Sequence, residues 1–584
     1  MNNRIRFIYK AATVLILPLI LLSGCNAVLQ DILPKKIDVE KESEKIYQEY
    51  LESISGRQDE LESGEITIGD ITMKHYFEKI GDPDENGYPL YIALRGGGVN
   101  TMEIVEEQYE VMQYYYTNVI NSGLYIVPRC FIGNHDEHFR PESFLFYDRM
   151  IEDAIAFYNA DPNRIYIIGF SSGGNGVYQI APRMADRFAA ANTSAGYPFS
   201  IRVGNLYNLP LCIQMGENDS NSDRNKSAAI YDGLLNDAAK EYGGGYIHTT
   251  YIHSGGTHNE FWDDRNTYEQ PVYTGDEVAN WLEDPDGAEV TYANTCAVEW
   301  LRQYVRDPYP ERIVWDTDVS AGLRRSQAFY WLDRDGALSH NHIVASYSKD
   351  DNSVTIEECD AAYGTLKVYL NPQMLDVYHE VNVEILGTKY AVKPYVSSQI
   401  MKSTLFARGD RDYMFTSEID ISFDSDGKVK EVKAAEESVI DYSLTDDSPL
   451  YYWDDYGLFY ADESLFGLTL EELEEKLGQD LPHYKQRKYR LGTLSYTYID
   501  DPSGQRVVFA FQNRRCAVIY SEKEGTITPE LTEADKKYIG DYADGILCLH
   551  YIQNEDDEGT SYVRQYYEWR YYELTEDMYA KLSI

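Results

Sequence analysis

Cysteine is scarce in this sequence, with seven among 584 residues. They are too scattered to build a disulfide scaffold, and no Cys-x-x-Cys pair suggests zinc. Cations are in short supply too: 52 Lys and Arg face 97 Asp and Glu, a formal charge of -45. Nucleic acid is therefore excluded as a partner, because phosphate binding depends on clustered positive charge. No apolar run reaches the roughly 20 residues that a membrane-spanning helix requires. Neither G-x-x-x-x-G-K nor G-x-G-x-x-G occurs, so no phosphate-cradling loop is expected, and no repeat of fixed period is present. What the chain has in quantity is tyrosine, 53 residues, a side chain that packs an apolar ring and keeps a hydroxyl for a polar neighbour. Its 43% hydrophobic and 26% charged residues are globular proportions and exclude wholesale disorder.

The first residues read as an address. Arg4, Arg6 and Lys10 precede an apolar run from Ala11 to Leu22, and Leu22-Ser23-Gly24-Cys25 follows at once. This is the pattern of a signal peptide over 1–24, and its end resembles the lipobox of bacterial lipoproteins. That resemblance implies a lipid on Cys25 and a membrane-anchored, extracytoplasmic protein. Residues 25–60 are charge-rich and are expected to be a spacer, with a helix over Val39–Ser53.

From 61 to 310 short apolar runs alternate with helical stretches. Tyr88–Leu94, Leu124–Val127, Arg164–Gly169, Phe188–Asn192, Leu209–Met215 and Tyr246–His253 are the expected strands. Ser143–Tyr158 carries a 3.6-residue stripe of Phe146, Met150, Ile151, Ala154 and Ile155,. Such alternation predicts an α/β fold, a mostly parallel sheet with helices on both faces, closed by a helix over Asn294–Arg306. Asp82–Gly87 and Asp424–Gly427 look like calcium loops but stop short of the required ligands, and both are expected to be hairpin turns. From 311 to 440 helical periodicity vanishes and short strands predict a small β-sandwich. The segment 441–584, with a helix at Thr469–Leu477 followed by strands, predicts a small α+β module.

Chemistry concentrates in Gly169-Phe170-Ser171-Ser172-Gly173. An apolar strand runs into G-x-S-x-G and then into helix-compatible sequence, the pattern of a nucleophile elbow that lifts a serine hydroxyl above a sheet. The N–H of Ser172 then lies at a helix N-terminus, facing any oxyanion. Arg95-Gly96-Gly97-Gly98 follows another strand and offers Gly97 as second backbone donor. A serine nucleophile needs a base and an orienting carboxylate. Asp219 and His258 each end a later strand, with Asp223 and His253 as competitors. Arg129 and His135 are expected to line the substrate site; His135, Asp136 and His138 superficially resemble metal ligands, but no metal or cofactor is expected.

ALRGGG at 93–98, ESFLFYDRMIEDAI at 142–155, the run from Asp161 to Gly196, MGEND at 215–219 and HSGGTH at 253–258 together resemble the α/β-hydrolases of the esterase, poly(3-hydroxybutyrate)-depolymerase and dienelactone-hydrolase kind. The resemblance covers about 60–306. It implies an α/β-hydrolase fold and a serine esterase acting on a small-molecule or polymer ester through Ser171, Asp219 and His258. Arg95 departs from the pattern, standing where many relatives carry His. Two rival expectations are a prolyl-oligopeptidase-like peptidase and a non-catalytic lipoprotein whose C-terminal domains hold a cell-surface polymer.

Overall fold

The computed structural model describes residues 37–435 apart from 70, 98–101, 131–137, 200, 266–268, 318–327, 336–341, 360–363 and 425–426, and beyond them strands and one helix between 451 and 571. Cys25 and His135 lie outside the described residues. So do the side chains of Cys516 and Cys548.

Ten strands form the first sheet: β1 (Glu65–Ile68), β2 (Ile71–Ile80), β3 (Tyr88–Leu94), β4 (Gly123–Pro128), β5 (Ala160–Phe170), β6 (Ala190–Ser194), β7 (Leu211–Gly216), β8 (His248–His253), β9 (Glu269–Tyr273) and β10 (Thr291–Asn294). Their spatial order is β1-β2-β4-β3-β5-β6-β7-β8-β9-β10. The six strands from β4 to β8 run parallel, with an antiparallel pair added at each edge. That order, with β3 and β4 exchanged and β2 antiparallel, is the α/β-hydrolase fold. β4, β6 and β7 are buried at every position, as strands covered on both faces must be.

The period of two along a strand sends alternate residues to opposite layers. Leu90, Ile92, Ile165 and Ile167 pack on one face with Met150 and Ile151 of a helix at Pro141–Tyr158 and Val177 and Ile180 of a helix at Ser172–Arg183. Tyr91, Ala93, Tyr166 and Ile168 pack on the other with Met112 of a helix at Met102–Tyr115 and Val298 and Leu301 of a helix at Ala297–Leu301. In chain order these helices, with those at Val39–Ser53, Arg224–Glu241 and Ser398–Arg408, are α1 (39–53), α2 (102–115), α3 (141–158), α4 (172–183), α5 (224–241), α6 (297–301) and α7 (398–408). Among the described residues no helix is long and apolar enough to cross a membrane.

Four expectations are corrected. Residues 39–57 do more than space: α1 buries Ile46 and Tyr50, one turn apart, against Met401 and Leu405, and Arg57 reaches Glu152 at 3.1 Å and Asp153 at 2.6 Å. Asp82–Gly87 does turn tightly, Gly87 N–H donating to Asp84 O at 3.1 Å across an antiparallel bridge, but it joins no hairpin of β2 and β3, since both pair with β4, which lies between them; Asp84 is also held by Arg164 at 2.6 Å. The helix at Asn294–Arg306 shrinks to α6, since Asn294 belongs to β10 and Arg306 leaves to meet Asp410 at 2.7 Å. Finally, a helix does occur in the β-rich segment. α7 starts at its cap Ser397, whose hydroxyl accepts from Gln399 N–H, and ends at Gly409 with φ 64°; its burial on several faces erased the one-sided stripe that reveals a helix in sequence.

Beyond 310 follow β11 (Arg312–Asp316), β12 (Leu332–Asp335), β13 (His342–Ser348), β14 (Ser353–Cys359), β15 (Gly364–Leu370), β16 (Val381–Ile385), β17 (Thr388–Val392), β18 (Ser417–Phe423) and β19 (Val429–Ala434), in a five-stranded sheet of order β11-β13-β14-β16-β17 and a four-stranded sheet of order β12-β15-β18-β19. Ile313, Trp315, Val354, Leu366 and Val368 from the two sheets join the same apolar cluster that covers the first sheet, so the core is continuous across residue 310. Charge is buried at this seam. Arg306 pairs with Asp410, Arg408 pairs with Asp186, and all four side chains are 4% exposed or less; Arg408-Gly409-Asp410 is thus a helix end locked in ion pairs. Removing one partner strands the other in a low-dielectric interior, which costs about 3–5 kcal/mol. Arg408→Met is therefore expected to lower the thermal unfolding midpoint clearly, and adding Asp186→Leu to recover part of the loss; calorimetry of the two variants checks it.

Candidate active site

β5 delivers Ser171 into α4 through a sharp reversal. Ser171 adopts φ 58° and ψ -117°, strained for a residue with a side chain and typical of functional turns. The glycines around it make the turn feasible. A Cβ on Gly169 would come 2.2 Å from Gly173 O, one on Gly173 2.1 Å from Leu94 O, and one on Gly174 2.6 Å from Ser194 O. Ser171 N–H donates to Ser194 O at 2.8 Å, which fixes the elbow to the end of β6.

Three side chains meet above the sheet's carboxyl edge. Ser171 Oγ lies 2.9 Å from His258 Nε2, and His258 Nδ1 lies 2.6 Å from Asp219 Oδ2. A carboxylate only accepts, so Nδ1 carries the ring proton and the Nε2 lone pair faces the serine hydroxyl. Asp219 is 3% exposed and also accepts from Arg224 at 3.5 Å. The competitors lie elsewhere. Asp223 is exposed and sits beside Lys226. His253 is buried in β8, stacked on Phe261 at 4.5 Å and bonded to Gln214 Oε1 at 3.1 Å; burial pushes its pKa down to about 3, which keeps it neutral.

Ser172 is the first residue of α4. The glycine loop after β3 comes close to Ser171: a Cβ on Gly96 would stand 3.5 Å from Ser171 Cβ, and Gly97 follows with φ 110°. Arg95 is fully buried and braces this loop, donating from Nε to Arg129 O at 2.7 Å and from Nη1 to Gly96 O at 2.8 Å. Arg129 itself pairs with Glu106. His138 is core. Its Nε2 donates to Arg95 O at 3.0 Å and its Nδ1 meets Cys130 Sγ at 3.1 Å, and burial holds its ring well below the usual histidine range. Among the described residues no cluster of three His, Cys, Asp or Glu side chains is placed to hold a metal.

Two further carboxylates, Glu217 and Asp263, support this arrangement, and neither has a spacing that marks its role in the sequence. Glu217 accepts from Gly255 N–H at 2.6 Å, Tyr273 Oη at 3.2 Å and Trp281 Nε1 at 3.2 Å, so the acid's loop holds the loop that carries the base. Asp263 is fully buried and accepts from Tyr115 Oη at 3.0 Å, Tyr116 Oη at 2.8 Å and Ser194 Oγ; burial raises its carboxyl pKa. The only signal for Glu217 is its place inside MGEND. A cavity of about 170 Å³ opens beside the triad, lined by Gln108, Val111, Met112, Tyr115, Phe170 and Asn259. Phe170 precedes the serine and Asn259 follows the histidine.

Strand order and elbow together define the α/β-hydrolase fold. No protein-family model matches the chain, and no curated protein matches it. Among solved structures it is similar to a thermostable esterase at 20% identity, over 42% of this chain and 64% of that one, with a TM-score of 0.29; it thus spans under two thirds of that esterase. It is also similar to the poly(3-hydroxybutyrate) depolymerase LpqC from Bordetella parapertussis at 13% identity, over 35% of this chain and 82% of that one, TM-score 0.27. A third is an acetyl xylan esterase from Aspergillus awamori at 13% identity, over 34% of this chain and 95% of that one, TM-score 0.26.

Proposed function

We propose that this protein is a serine hydrolase of carboxylic esters, anchored outside the cytoplasm by a lipid on Cys25. The observation that carries the catalytic reading is the hydrogen-bonded chain from Ser171 through His258 to Asp219. Ser171 Oγ attacks the ester carbonyl carbon while His258 Nε2 takes the hydroxyl proton. The tetrahedral oxyanion is met by the N–H groups of Ser172 and Gly97. Collapse breaks the carbon–oxygen bond, and the alcohol leaves with the proton from Nε2. Water then attacks the acyl-serine with His258 again as base, releasing the acid and restoring Ser171. No cofactor enters any of these steps.

The cavity beside the triad suits a short substituent. A volume near 150 Å³ holds one benzene ring, so a pocket of about 170 Å³ takes a short acyl chain or a single ring. Its wall is apolar apart from Gln108, Asn259 and the hydroxyl of Tyr115.

Labelling the purified chain with a fluorophosphonate probe tests the reading, together with a comparison of short-chain aryl esters and proline-containing peptide amides. The expected result is stoichiometric labelling at Ser171 and hydrolysis of the esters alone. Faster cleavage of the amides would favour a peptidase. A folded protein that takes no probe and cleaves neither would overturn the enzyme reading in favour of a binding lipoprotein.

A further inference from the structure

Among the described residues, a second and larger cavity lies away from the triad. It measures about 500 Å³ and is lined by Pro198, Phe199 and residues 201–204, by helix α5, and by Asp316 and His342 of strands beyond residue 310, within the range of small-molecule sites. None of its lining residues belongs to the Ser171–His258–Asp219 chain or to the smaller cavity.

Helix α5 has two apolar faces. One, with Ala228, Tyr231 and Leu235, is buried on the sheet. The other carries Ile230 and Leu234, four residues apart on one stripe, and leaves them 54% and 48% exposed on the cavity wall. Phe199 also lines the cavity, 39% exposed and held at φ 53°, a backbone conformation that costs a bulky residue about 1–3 kcal/mol. Its ring is braced edge-on by Tyr197, centroids 5.1 Å apart. The ring of Phe139 lies 6.0 Å from it as well, which leaves the rest of its surface to the cavity.

The far end is polar, and its polarity has a direction. His342 Nδ1 donates to Asp316 Oδ1 at 2.8 Å, and its Nε2 lies 3.0 Å from Tyr242 Oη and 3.8 Å from Glu358 Oε2. Glu241 adds a second carboxylate to that of Asp316, and the two outnumber Arg202 among the fully charged groups of the wall. This end is built to accept hydrogen bonds.

We propose that this cavity is a second ligand site, taking a small amphiphile whose alkyl or aryl body lies against Ile230, Leu234 and Phe199 and whose hydrogen-donating head, a hydroxyl or an ammonium, meets the Asp316–His342–Tyr242 chain. A carboxylate head is disfavoured, since it brings a third negative charge and no donor to that end. The site spans the seam between the catalytic sheet and the β-rich part, so it is present only when both are folded together.

Titration calorimetry with octyl β-glucoside, octylammonium and octanoate, each below its micellar concentration, tests this on the full chain. The glucoside and the ammonium are expected to bind, octanoate at least about tenfold more weakly. Leu234→Glu should weaken the two binders by at least about tenfold, the value of one buried leucine side chain. It should leave ester turnover unchanged, which shows that the variant is folded; Ile230→Ser serves as a milder second variant. Ser171→Ala should bind all three as the unaltered chain does, which separates this site from the catalytic one. Equal binding of octanoate, absence of binding by both donor heads, or wild-type binding by both α5 variants overturns the proposal.

Discussion

Ser171→Ala is expected to lower ester turnover by about a millionfold, as when the nucleophile of a serine triad is lost, and to abolish probe labelling. The fold should not change. The substitution deletes one hydroxyl whose hydrogen bond is to His258, while the strained backbone of the elbow is held by Ser194 O and by glycine contacts that do not involve the side chain. Circular dichroism and the unfolding midpoint should therefore match the unaltered protein. A variant retaining turnover within tenfold would falsify the assignment of the nucleophile.

Asp219→Asn is expected to cost about ten-thousandfold in kcat, while Asp223→Asn changes little. An asparagine at 219 can donate to Nδ1 of His258, which favours the tautomer with its proton on Nε2. That proton then points at Ser171 Oγ, and the ring cannot act as base. Asp223 is exposed and, among the described residues, pairs with Lys226 at 3.4 Å rather than with the histidine. Equal losses in both variants, or the reverse order, would place the orienting carboxylate at 223.

Much of this arrangement was legible in sequence because it is local. G-x-S-x-G requires its glycines within a few residues of the serine, and the clashes that added Cβ atoms would make with Leu94, Gly173 and Ser194 give the reason. The strands of the first sheet stood out as apolar runs because parallel strands are buried on both faces. Elements whose partners are distant in sequence were illegible. Glu217 serves Gly255, Tyr273 and Trp281, and Asp263 serves tyrosines almost 150 residues upstream; a carboxylate's spacing to such groups carries no periodic signal. α7 hid for a different reason, since burial on several faces leaves no stripe, and α1 looked like a solvated linker because its charged residues outnumber the two that dock.

The seam at residue 310 constrains how this protein can evolve. A hydrolase domain joined to its neighbour by a tether can be shuffled between genes, since neither side notices the loss of the other. Here Asp186 and Arg306 sit in the catalytic half while their counter-ions Arg408 and Asp410 sit in the other. A change at any one of the four is tolerated only with a matching change across the seam, so these positions should vary in pairs among descendants. The inheritable unit is then larger than the first sheet and its helices, and recombination cutting at 310 would yield two halves that each bare two charges without their counter-ions.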